Sequence, residues 1–161
     1  MLWFDTFIQW LHLMAAAIWV GGTLFVGVVL TPIARRDLPP QARYPLFAAV
    51  GKRFGLIGRS ALLVLIATGV YKISQSWGSE GFWESVIGRV IIIKIVLLTA
   101  MIALNLLHDF VWGPRLAQMS PHDDAAGYQA TLFKLSFWSK VNVAIAVVMV
   151  FLGAFIRMNP F

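Results

Sequence analysis

Residues 88–112 read G-R-V-I-I-I-K-I-V-L-L-T-A-M-I-A-L-N-L-L-H-D-F-V-W, and the interpretation of this run decides the fold. As a helix rising about 1.5 Å per residue, it is long enough to cross roughly 30 Å of hydrocarbon. Its interior holds Lys94. An ammonium near mid-membrane costs at least ~2.5 kcal/mol, so such residues normally face protein and not lipid. At helical spacing Lys94, Leu98, Met101, Asn105, His108 and Trp112 fall in steps of three and four on one stripe, with Asp109 at its border. The expectation is a transmembrane helix whose polar stripe looks into a bundle.

Composition points the same way. The 161 residues are 60% hydrophobic and only 12% charged, against about 25% charged in soluble domains. Three more stretches, roughly 5–32, 57–76 and 137–157, can span a bilayer. The predicted fold is all-α: an integral membrane four-helix bundle, up-down-up-down. It would form one four-span domain over 1–161, made of two hairpins, about 1–80 and 81–161. The second span has the shortest apolar centre, so Arg59 and Lys72 must snorkel from its ends. The opening M-L-W-F-D has no basic n-region and no small-residue cleavage site, so the first span is expected to be a retained anchor. With no cysteine in the sequence, disulfides and thiolate metal sites are excluded.

Charge gives the expected orientation. Arg35, Arg36, Arg43, Lys52, Arg53 and Arg59 follow the first span, and Arg115, Lys134 and Lys140 follow the third. Lys72, Arg89 and Arg157 lie on the other side. Nine against three places both connections in the cytoplasm and both termini outside, in the inner membrane of a bacterium. Topology thus accounts for the net charge of +6, and no nucleic-acid partner is implied. Each connection, after Leu38-Pro39-Pro40 and after Ser120-Pro121-His122-Asp123-Asp124, reads as a short amphipathic, basic helix running into the next span. Such helices anchor on acidic lipid, and the bilayer is the first expected partner. Tyr44, Leu46-Phe47 and Gly69 also echo Tyr128, Leu132-Phe133 and Gly153, a weak internal repeat.

The polar groups collect on helical faces. In the first span Asp5, Gln9, His12, Ala16, Trp19, Thr23 and Gly27 share a face; in the fourth, Asn142, Ala146, Met149, Gly153 and Arg157 do. By depth, His12 and Lys94 lie in the outer third, and Tyr71 and Arg157 on the antiparallel spans reach the same level. That makes one candidate site of His12, Lys94, Tyr71 and Arg157. His108 lies about 21 Å deeper than Lys94, so it would belong to a second site, and His12 and His108 would not share one iron. The methionines Met101, Met149 and Met158 read mainly as core filling, and His122 as a loop residue.

W-L-H-L-M-A-A-A-I-W-V-G-G-T-L-F in the first span and G-R-V-I-I-I-K-I-V-L-L-T-A-M-I-A-L-N in the third resemble the copper-resistance D (CopD) membrane domain. The His-then-Lys arrangement is also distantly similar to HemJ-type protoporphyrinogen oxidases, and it carries over onto His12 and Lys94. Those oxidases place a further histidine where this chain has Asn105, which favours the CopD-like side. The resemblance implies copper handling at the outer face, or a bound heme. A copper site would use His12, with Met158 the methionine nearest in depth. For heme b, His12 would be the axial ligand, with Lys94 and Arg157 pairing with propionates. The alternatives are a HemJ-like oxidase, whose catalytic residues the sequence leaves open, and an accessory subunit of a membrane redox complex. Other membrane subunits or a homo-oligomer are further candidate partners.

Overall fold

The structure, a computed structural model, describes residues 2–119 and 123–158, apart from the side chains of Pro40, Gln41 and Tyr44. The expected helix start at Ser120-Pro121, and His122 with it, fall outside the described residues. Helix α1 (Leu2–Leu24) runs through a π-helical segment (Phe25–Leu30) into α2 (Thr31–Asp37), and α3 follows as one long helix (Pro40–Ser74). The second half repeats the plan: α4 (Val86–Leu107), a π-helical segment (His108–Trp112), α5 (Gly113–Gln118) and α6 (Ala125–Met158). Four of these rods, Leu2–Asp37, Pro45–Ser74, Val86–Gln118 and Ala125–Met158, are long and apolar enough to cross a membrane. The protein is an all-α membrane protein, as the hydropathy pattern predicts. The expected short amphipathic helices are the opening turns of α3 and α6, continuous with the spans.

The chain divides into two compact units, Met1–Phe82 and Trp83–Phe161. In the first, α1 packs antiparallel against α3. Tyr71 meets Asp5 and Thr68 meets His12 near one end. Further along, Trp19 lies beside Gly58 and the Phe54 ring lies directly over Gly22. In the second, α4 packs antiparallel against α6, from Lys94 beside Met149 and Gly153 to Asn105 beside Asn142. The Trp112 and Trp138 rings then stack at 6.4 Å. The buried positions along these seams are mostly small, such as Ala15, Ala61 and Ala146, while residues such as Phe25, Leu63 and Phe151 are exposed. Lipid tails are as apolar as leucine, so large aliphatic side chains gain nothing by turning inward; small residues let the backbones approach.

Local chemistry sets the helix ends. Ser85 accepts the Gly88 N–H at 3.0 Å to start α4, and Asp124 accepts the Gly127 N–H at 2.8 Å to start α6. At the α2–α3 corner the Arg43 guanidinium donates to the carbonyls of Leu38 and Arg35, both at 2.9 Å, satisfying the end of α2. The π-helical segments sit immediately before Thr31-Pro32 and Gly113-Pro114. A proline lacks the N–H and its ring clashes with the carbonyl four residues back; the widened turn absorbs that clash. In both segments a backbone N–H skips one carbonyl, Thr31 to Val26 and Gly113 to His108. A Cβ at Gly113 would stand 2.9 Å from the His108 oxygen, so this turn requires glycine.

Gly22→Leu is expected to lower the thermal unfolding midpoint in detergent, because its side chain would occupy the space of the Phe54 ring; overpacking of this kind costs roughly 1–3 kcal/mol. Gly21→Leu, whose Cβ meets nothing within 4 Å, should leave the midpoint unchanged. Equal midpoints for the two variants would contradict the α1–α3 register.

Candidate functional site

Three polar pairs join α1 to α3 at the end of the first unit that carries Leu2 and Ser74. Tyr71 donates to Asp5 at 2.7 Å, the Lys72 ammonium donates to Gln9 at 2.6 Å, and His12 Nδ1 lies 2.7 Å from Thr68 Oγ1. The imidazole passes over Gly69, where a Cβ would stand 3.8 Å from its Cε1. Thr68 is 4% exposed. Its hydroxyl has one proton, and the 2.6 Å contact to the Val64 carbonyl uses it. Toward His12 the hydroxyl oxygen is therefore the acceptor, and Nδ1 carries the hydrogen. In the neutral ring the lone pair is then on Nε2, from which an imidazole can ligate a metal or take a proton. Beside this pair Ile8, Leu11, Val64, Ala67, Thr68 and Tyr71 line an open, almost wholly apolar groove of about 220 Å³.

The second unit holds its own polar group at the matching place. The Lys94 ammonium donates to the Met149 carbonyl at 3.1 Å and lies 3.3 Å from where a Cβ on Gly153 would be. His12 precedes Pro32 by the same interval that separates Lys94 from Pro114, and Gly69 and Gly153 are the paired glycines of the internal repeat. Each hairpin thus sets one basic side chain over a glycine of its partner helix. Further along α4, Asn105 donates to the Met101 carbonyl at 2.9 Å and accepts from the Asn142 amide at 3.2 Å. The side-chain Oδ1 of Asn142 is buried and has no hydrogen-bond partner among the described residues. His108, where the π-helical segment begins, is exposed, and its Nδ1 lies 3.0 Å from the adjacent Asp109.

The expected constellation is therefore divided between units, with His12 and Tyr71 in the first and Lys94, Arg157 and His108 in the second. Tyr71 is engaged by Asp5, and Arg157 is exposed one turn beyond Gly153. Among the described residues no three His, Cys, Asp or Glu side chains gather as a metal cluster. Periodicity did not single out Thr68. A threonine in an apolar span usually bonds its own helix backbone, and Thr68 does so while also orienting His12. No sequence signal distinguishes the two roles.

The family model described as "Copper resistance protein D" matches residues 48–156. A protein of Aquifex aeolicus (strain VF5), described as "Uncharacterized protein", is 29% identical over 164 residues, covering 99% of each chain. No solved structure matches the chain.

With ¹⁵N-labelled histidine, the signal removed by His12→Ala should carry the shifts of an Nδ1-protonated ring, and Thr68→Val should abolish that preference. An Nε2-protonated ring in the unsubstituted protein would reverse the tautomer assignment.

Proposed function

The chain belongs to the copper resistance protein D family, and from that premise we propose that it handles copper within the membrane, with His12 as the point of contact. The observation that carries this reading is the short hydrogen bond to Thr68, which orients the His12 ring and assigns Nε2 as its ligating atom. Neutral imidazole suits copper, and with no cysteine in the chain the other donors would be thioether or oxygen. Among the described residues His12 has no surrounding cluster of His, Cys, Asp or Glu, an arrangement that does not fit a closed, permanent metal centre. It fits a cargo ion held briefly and passed on. We assign the Lys94 ammonium a supporting role: it is the fixed positive charge at the matching place in the second hairpin, held by the Met149 carbonyl.

The excess of Lys and Arg in the connections supports an orientation with both termini outside an inner membrane, so that His12 lies toward the extracytoplasmic surface. Because the chain lacks cysteine, single introduced thiols report this directly. Ser79→Cys should react with a membrane-impermeant maleimide on intact cells, and Gln118→Cys only after lysis. The opposite pattern would invert the topology.

Purified protein in lipid nanodiscs, titrated with Cu(I) against a competing chelator, should bind the ion. Thr68→Val should weaken binding by about 10- to 100-fold, the usual effect of removing the group that orients a ligating histidine. His12→Ala should weaken it more, and Lys94→Met should insert and fold yet fail to restore copper tolerance to a deletion strain. Unchanged Cu(I) binding by His12→Ala would remove this residue from the site. A Soret band lost with His12 would replace copper by heme.

A further inference from the structure

Helix α3 carries a second chemical feature, independent of the copper reading. Ala49, Lys52, Arg53, Leu56 and Arg59 line an open groove of about 520 Å³. Steps of three and four put all five on one face of the helix. The Phe54–Gly58 side, which packs on Gly22 and Trp19 of α1, points elsewhere. Lys52, Arg53 and Arg59 are all exposed. Arg59 folds back along the helix: its Nη1 comes 3.3 Å from where a Cβ on Gly55 would stand. The glycine lets the guanidinium lie back toward the other two cations. Along the axis Lys52 and Arg59 are about 10 Å apart, comparable to one polar headgroup layer, ~5–8 Å deep.

The same face continues as an apolar track. Leu56, Leu63 and Val70 follow one another every second turn and are 66%, 67% and 62% exposed. They cover about 21 Å of helix, more than the ~15 Å of hydrocarbon in one leaflet. A basic groove leading into such a track matches one kind of molecule: an anionic head on a hydrocarbon chain. We infer that this face of α3 binds one anionic glycerophospholipid. Its phosphodiester sits among Lys52, Arg53 and Arg59, and an acyl chain lies along Leu63 and Val70. A free phosphate would leave the apolar track unused. A second copy docked by two-fold symmetry would set this cation cluster against itself.

The test is native mass spectrometry of the full chain released from vesicles of phosphatidylglycerol and phosphatidylcholine in equal parts. The expected result is one phosphatidylglycerol retained per chain and no preference for phosphatidylcholine. Each cation neutralised should cost roughly fivefold in retention, and K52Q/R53Q/R59Q together more than a hundredfold. K52Q alone, on an exposed turn, gives the same direction if the triple variant folds poorly. Gly55→Leu, which displaces Arg59 at constant charge, should also lose about fivefold. Four results would overturn the assignment: equal retention of the two lipids, retention unchanged in the cation variants, full displacement of the lipid by inorganic phosphate, or lipid-free pairs of chains.

Discussion

A polar group carried into hydrocarbon must be answered by protein, and that requirement organises the structure. With no water in the bilayer core, each unpaired donor or acceptor costs several kcal/mol. The seams of both hairpins are accordingly made of polar partners and small residues. Tyr71 with Asp5, Lys72 with Gln9 and Thr68 with His12 close one end of the first seam. Lys94 with the Met149 carbonyl and Asn105 with Asn142 hold the second. Individual bonds of this kind average only about 0.6 kcal/mol in membrane proteins. Their effect is on register: shifting either helix by one residue would strand several polar groups at once.

The two hairpins solve this problem on one plan with different side chains. A π-helical turn precedes proline in both, and a glycine of the partner helix makes room for a basic residue in both. An imidazole with an available tautomer stands in the first hairpin and an ammonium in the second. An imidazole can bind a metal ion or exchange a proton. The ammonium donates to a carbonyl of the partner helix.

Thr68 links packing to chemistry. Its hydroxyl donates to the Val64 carbonyl of its own helix, which leaves its oxygen as the acceptor toward the histidine. The tautomer of His12 therefore follows from the helix pairing. On α3, Lys52, Arg53 and Arg59 line an open groove instead, with Arg59 laid back over Gly55.

The all-α class, the four spans and the polar faces of the first, third and fourth were determined by sequence alone. Hydropathy and the 3.6-residue period are properties of a single helix and its solvent. So was the presence of His12 and Lys94 on inward faces, because lipid penalises them elsewhere. The partners were decided by tertiary structure. Which threonine meets His12, which carbonyl meets Lys94, and that Asn105 meets Asn142 depend on the register between helices. An apolar sequence with many equivalent small residues does not specify that register locally. The π-helical turns also escaped a reading at constant period, because the extra residue each carries answers a proline beyond it and leaves no mark in the hydropathy pattern.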